Sequence, residues 1–458
     1  SDMATLYVST GGANTNSGCT DVAAGHASII SGSAATNVGT VVTLDGSPDL
    51  SGLITSGATQ SSINLSGATN ANKKIFWISA FDDTANTVTV DTAPTGTLGA
   101  WKIGGQWTVP ASTGMSTIDA ATTFRAGDTI IFNDSPVSAS QDFFTARADG
   151  TGTAGPITIK GKTGVRPVIT VTSVDQCFEP GNFDLWRFEN LEFAQTGASG
   201  TVIMGGDTAT AHTYYNIKIS DGGGAGINIQ TSHSRVLMSE ISGVGGDGIL
   251  LNNNASFGLF YGNYIHDVGG DGIDGSANGM HPTLINNIID SATGRGIYLG
   301  GSYTSAVNFI TINGNTVYGC GDSGLEIADT DAMVTLTNNI FSQNGNAAGE
   351  YNVEWTAGTA QIISLHGWNV FYHSGGGGGA NLLNLTVNAQ VTSSEFTTDP
   401  EFTNAAGGDF SISSTSPAKA AGFPGTFLGG STGYLDIGAV QRQESSGGGG
   451  IAGYGYTA

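Results

Sequence analysis

Gly226-Ile227-Asn228-Ile229, Gly248-Ile249-Leu250-Leu251, Gly272-Ile273-Asp274-Gly275, Gly296-Ile297-Tyr298-Leu299, Gly324-Leu325-Glu326-Ile327 and, more loosely, Glu350-Tyr351-Asn352-Val353 are six versions of one short segment. The five glycines are separated by 22, 24, 24 and 28 residues, and an Asn-rich apolar run and a Gly-rich turn precede each segment. A unit of this length holds two or three short strands and shows no helical period. It cannot bury its apolar residues alone, so it must stack on its neighbours. Apolar residues alternating at period two point inward, and one strand of each coil lies parallel to its equivalent in the next. The pattern predicts an all-β chain built on a parallel β-helix.

Outward from this array the chain divides into five stretches. Residues 1–27 contain a first edge strand, Thr5-Leu6-Tyr7-Val8-Ser9-Thr10. Residues 28–105 change character and read as a small β insertion or domain, with strands at Thr40–Leu44, Ser62–Leu65, Lys74–Ile78 and Asn86–Val90, closing near Trp101-Lys102-Ile103. The β-helix is expected over 106–392, with a weakly helical stretch, Ser116 to Phe124, as a candidate end cap. Residues 393–444 form an irregular closing segment, and 445–458 a Gly-rich tail.

Charged residues make up 11% of the chain and glycine contributes 72 of its 458 residues. A surface this sparse in charge suits stacked β architecture. The formal net charge of -23 excludes phosphate contact through clustered Lys and Arg, so no nucleic-acid partner is expected. Cys19, Cys177 and Cys320 are too few and too far apart for a disulfide framework or a metal knuckle and read as small buried hydrophobes. No run of 18 apolar residues is present, so no membrane span is expected, and no secretory leader is visible.

Three groups of residues resemble right-handed parallel β-helix proteins of the pectate-lyase-like superfamily: Gly127-Asp128-Thr129-Ile130 with Gly155–Ile159 and Arg166–Ile169, the repeat array itself, and Asp399-Pro400-Glu401-Phe402 through Ser416-Pro417-Ala418 to Asp436–Val440. The resemblance implies a right-handed solenoid with an N-terminal β domain and an irregular C-terminal cap. Met3–Val8, the module from Trp77-Ile78 to Trp101–Gly105, and Val440–Gln443 are similar to β-helix proteins of tailed-phage virions. That narrower likeness implies a tail fibre, tailspike or capsid-surface protein, located on a virion surface or outside the cell. Its partners would be other virion proteins or cell-surface polysaccharide, and its homo-oligomer would be a trimer.

Strand alternation places Asn228, Leu250, Asp274, Tyr298, Glu326 and Asn352 in one outward row. With coils about 4.8 Å apart, Asp274 and Glu326 lie roughly 10 Å from each other. This is at or slightly beyond the wide end of the spacing that lets a water sit between a general acid and a general base. In an enzyme these two carboxylates would do the catalysis, while Tyr298, Arg295, Asn228 and Asn352 would contact the sugar. No third acid is expected to converge on them, and an exposed strand face carrying polar residues explains the row equally. A second row, Asp247, Asp271, Arg295 and Ser323, precedes the glycines. Its two aspartates either bind Ca²⁺ or serve the turns by accepting backbone N–H groups, with Arg295 offsetting their repulsion. No other cofactor is implied.

Asn252–Asn254, Asn286-Asn287, Asn313, Asn315 and Asn338-Asn339 recur at coil corners, where stacked amides would bond along the axis. His233, His266, His281, His366 and His373 lack metal spacing and read as turn or surface residues, and Trp355 and Trp368 could face a partner. The functional readings are therefore an inert or receptor-facing virion component, a polysaccharide hydrolase or lyase, and a passive glycan-binding adhesin.

Overall fold

A computed structural model of the chain describes residues 5–9, 12, 17, 19, 30–57, 60–69, 75–106, 125–135, 137–138, 155–172, 176–181, 183–197, 200–205, 211–252, 255–276, 281–300, 308–328, 332–345, 350–356, 362–375, 383–384, 395–423 and 435–441. The expected helical cap at Ser116–Phe124, Asn253-Asn254, most of the glycine run after Gly375 and the tail from Ser445 lie outside the described residues. No α-helix occurs among those described.

The chain forms two compact units, residues 1–223 and 224–458. In the first, the edge strand Thr5–Val8 pairs in parallel with Thr129–Phe132, Leu6 opposite Ile130, so the intervening residues leave the solenoid after its first strand and return to its second. Ile157–Gly161, Trp186–Glu189 and Thr213–Tyr215 continue this parallel sheet. Val137–Ser138, Val168–Val171, Glu192–Gln195 and Lys218–Asp221 form a second sheet, and Phe178–Gly181 with Ile203–Gly205 a third.

The excursion is a seven-stranded antiparallel sheet running from Ile30–Gly32 to Trp101–Ile103. Its core holds Val42, Leu50, Ile63, Phe76, Ile78, Val88 and Trp101.

In the second unit every coil repeats three strands. Arg235–Leu237, Leu259–Tyr261, Thr283–Ile285, Asn308–Asn313, Ala332–Thr337 and Ile362–Gly367 build the first face. Glu240–Ser242, Tyr264–His266, Ile288–Asp290, Thr316–Tyr318, Ile340–Ser342 and Val370–Tyr372 build the second. Ile227–Ile229, Ile249–Leu251, Ile273–Gly275, Ile297–Leu299, Leu325–Ile327, Val353–Trp355 and Leu383–Asn384 build the third. Ile227, Ile249, Ile273, Ile297, Leu325 and Val353 are fully buried, one above the other. Each such side chain taken from water contributes about 2–3 kcal/mol.

The turn between the first and second faces takes two residues, the first left-handed, as at Asn286 (φ 54°) and Asn338 (φ 61°). The second is Ser239 in the first of these coils and, from Asn263 onward, a fully buried asparagine whose amide nitrogen donates to the next coil's amide oxygen. The bonds run from Asn263 to Asn287 (2.8 Å), to Asn315 (2.9 Å), to Asn339 (3.0 Å) and to Asn369 (3.0 Å). Asn287, Asn315 and Asn339 stand in this ladder as the corner pattern predicts. Asn252 does not, because it follows a third-face strand; Asn263 and Asn369 do, although no second asparagine flanks them.

The closing segment carries the hairpin Phe402–Asn404 and Asp409–Ile412, and it packs Ile412, Ala418 and Ile437 on Ile340 and Val370. Trp368 lies against Phe423 of this segment, and Trp355 is buried, so the chain itself covers both indoles that the sequence offered to a partner.

Candidate functional site

The third face is where chemistry collects. Each of its strands from Ile227 to Leu325 opens on a glycine because the next coil's backbone leaves no room for a side chain. A Cβ on Gly272 would meet the Gly296 carbonyl oxygen at 2.6 Å and the Ile289 side chain at 2.5 Å. Gly248 and Gly296 face the same obstruction from the coil after them. The glycine column therefore fixes the coils in register, and the residues on either side of it are stacked.

After the glycines, parallel register sets Asn228 beside Leu250, Leu250 beside Asp274, Asp274 beside Tyr298, Tyr298 beside Glu326 and Glu326 beside Glu354. Two sequence expectations change. The sixth strand is Val353–Trp355, so Glu354 takes the place given to Asn352, which is fully buried and accepts from the Asn344 amide at 3.0 Å. The loose match Glu350-Tyr351-Asn352-Val353 lacks the glycine, and aligning it by pattern alone sets the outward residue two positions early. Asn228 is in the row, but at 6% exposure it is not offered to a ligand.

Before the glycines, Asp247, Asp271 and Arg295 stack through their turns. The Asp247 carboxylate accepts the Asp271 backbone N–H at 2.8 Å, and the Asp271 carboxylate accepts that of Arg295 at 2.6 Å. Turn duty thus occupies one oxygen of each aspartate and leaves the other. Asp274 converges on these two: ligand oxygens of Asp247, Asp271 and Asp274 lie within 4.8 Å of one another. Sequence spacing keeps the two rows apart, whereas the bend at Gly272, just before the strand Ile273–Gly275, brings Asp274 against Asp247 and Asp271.

Asp274 Oδ1 is buried with no hydrogen-bond partner. Burial, then the charges of Asp247 and Asp271, push the Asp274 carboxyl up to about 6, and burial raises Asp271 too. Three converging carboxylates, one with an orphaned oxygen, suit a hard divalent cation, which takes six to eight oxygens.

Arg295 sits at the edge of this cluster. Its guanidinium is 3.4 Å from Asp271 Oδ2, 4.0 Å from Asp322 Oδ2 and in contact with Glu326, and it lies 4.2 Å from the centre of the Tyr298 ring. Glu326 also accepts from Thr356 Oγ1 at 2.8 Å, and Ser323 Oγ donates to Glu354 at 2.7 Å. Asp322 and Glu354 thus join the strip; the first lies one residue outside the predicted row and the second lies behind the shifted register.

Of the five histidines singled out, His266 on the second face stacks on Tyr264 at 4.2 Å and lies 2.8 Å from Asp267, while Tyr264 donates to Asp290 at 3.5 Å. His233 and His281 alternate with Phe257 and Phe309 in a stack of rings on the first face, both phenylalanines being exposed. His366 is buried against Glu395, and the half-buried His373 bonds locally to Gly375. The three cysteines are free and buried, as expected.

Residues 200–363 match the family described as right handed beta helix region. Pectate lyase Pel9A is similar in structure, with a TM-score of 0.50 at 16% identity over 74% of this chain and 92% of that one. An alginate lyase from Paenibacillus sp. str. FPU-7 (TM-score 0.33, 19% identity, 62% and 96% covered) and the tailspike protein gp49 from Pseudomonas phage LKA1 (0.20, 12%, 82% and 72%) also align. No curated protein sequence matches the chain significantly. The chain is a right-handed parallel β-helix, and at these identities the likeness extends to fold alone.

Proposed function

We propose that the third face is a polysaccharide site organised around a divalent cation, and that the protein acts on its glycan outside the cell or on a virion surface. The convergence of Asp247, Asp271 and Asp274, with one buried oxygen left unbonded, carries this reading. A cation there would let so acidic a strip accept an acidic glycan, because the glycan's carboxylate would meet a metal rather than six carboxylates. Tyr298 supplies a ring for stacking, and Arg295 a fork for a sugar carboxylate. Asp274 and Glu326 stand two coils apart, roughly 10 Å at the usual strand spacing. That separation is slightly too wide for a direct acid–base pair. With Asp274 a cation ligand, Glu326 is left as the free carboxylate beside the sugar. A cation beside a guanidinium is chemistry suited to a uronate, the substrate class that the pectate lyase named above also suggests.

The test is retention of the protein on immobilised uronate polysaccharide, with Ca²⁺ and after EDTA, alongside release of unsaturated product read at 235 nm. Binding should vanish on chelation and in Asp274→Asn. Binding indifferent to both would overturn the site. Glu326→Gln should lower turnover at least about a hundredfold while retention persists, in the range of a lost general acid or base.

A second reading, a virion component, rests on the likeness at the N-terminal module and at Val440–Gln443. The self-contained core of the 30–103 sheet, a separable appendage, favours it. It places the same face on a particle and predicts a trimer by mass in solution, where a free enzyme would be a monomer.

A further inference from the structure

Arg295 holds two things at once. Both oxygens of Asp271 are engaged by it, Oδ1 through the backbone N–H at 2.6 Å and Oδ2 through the guanidinium at 3.4 Å. The same guanidinium lies over one face of Tyr298 at 4.2 Å and contacts Glu326. A cation held by Asp247, Asp271 and Asp274 needs an Asp271 oxygen, and Oδ2 is the one not tied to the backbone. Cation and guanidinium would then sit on the same carboxylate, two positive charges within a few ångströms. We propose that Arg295 competes with the cation for Asp271 and covers the Tyr298 ring, so that cation binding uncovers the sugar-stacking face and frees Glu326. The inference rests on the cation site proposed above and adds its regulation: metal and glycan bind with positive coupling, transmitted by one side chain over two neighbouring coils. Reciprocity follows, since a ligand that holds Arg295 away from Asp271 must also tighten the metal. The carboxylate of a uronate is chemically suited to do so, because it offers the guanidinium a bidentate partner.

The full chain labelled with 3-fluorotyrosine tests this without any glycan. Thirteen tyrosines are present, and the Tyr298 ¹⁹F signal is assigned by its loss in Tyr298→Phe. Ca²⁺ added to the wild type should move that signal with the same midpoint as calorimetric uptake. In Arg295→Gln the signal should start at the displaced position and stay there, and Ca²⁺ should bind about tenfold tighter, within the usual range of a coupling between sites. Arg295→Lys, which keeps the charge and loses the planar cover, should leave Ca²⁺ affinity within about threefold of the wild type, the charge being retained, with the ring signal displaced. Circular dichroism checks that each variant is folded.

Ca²⁺ uptake with a stationary Tyr298 signal overturns the coupling and spares the metal site. So does Arg295→Gln binding no tighter than the wild type, or a Ca²⁺-induced shift that persists without Arg295. A wild type that takes up no Ca²⁺ at millimolar concentration overturns both.

Discussion

At the scale of single residues, burial decides chemistry. His212 is completely buried, and its Nδ1 accepts the Trp186 backbone N–H at 3.3 Å while Nε2 has no partner. Burial alone pulls its pKa from 6.5 down to about 4. An unfolded chain therefore binds a proton below pH 6.5 that the folded chain refuses until pH 4, so stability falls as pH drops through that window. The loss should reach roughly 3 kcal/mol, because each tenfold weakening of proton affinity is worth about 1.4 kcal/mol. Urea midpoints between pH 7 and pH 4 measure it; His212→Phe should flatten the fall, and an unchanged slope would contradict the assignment. Asp274 shows the same principle with opposite chemistry: burial among two like charges leaves a carboxylate in want of a cation.

At the scale of the repeating element, the asparagine ladder and the glycine column do different work. Asn287 donates to Asn315 and to the Phe260 carbonyl, and accepts from the Asn263 backbone and amide, all buried. Asn287→Leu should cost about 2–4 kcal/mol, because it strands buried donors and acceptors on both neighbouring coils. Gly272→Ala should cost at least as much, since backbone rather than a flexible side chain blocks the Cβ. Thermal unfolding of both variants checks the pair, and a Gly272→Ala chain as stable as wild type would refute the stacking constraint.

The glycine column makes the fold legible in sequence: once Gly226, Gly248, Gly272, Gly296 and Gly324 are aligned, the outward row follows as far as Glu326. It fails at Asn352, where no glycine marks the strand start, and Glu354 is hidden for that reason. Asp322 falls one residue outside the rows that the column defines. The acidic cluster is half legible. Asp247 and Asp271 pair by their spacing, but Asp274 joins them through the bend at Gly272, whose geometry a one-dimensional pattern does not carry.

At the scale of the whole molecule, two kinds of β structure share one chain. The antiparallel module at 30–103 has its own core, whereas each solenoid coil relies on its neighbours. Calorimetry should accordingly resolve two transitions, and deletion of residues 28–105 should remove one of them; a single transition in the intact chain would contradict independent cores. Added Ca²⁺ should raise only the transition of the solenoid, by mass action on the state that binds it.

The proposed chemistry of the third face depends most on the three aspartates holding a metal. Anomalous diffraction from crystals soaked in Tb³⁺, a hard ion with calcium-like oxygen preference, tests this directly. The predicted result is one strong peak about 2.3–2.6 Å from carboxylate oxygens of Asp247, Asp271 and Asp274, absent in Asp274→Asn. Density elsewhere on this acidic chain, with none between those three side chains, would contradict it.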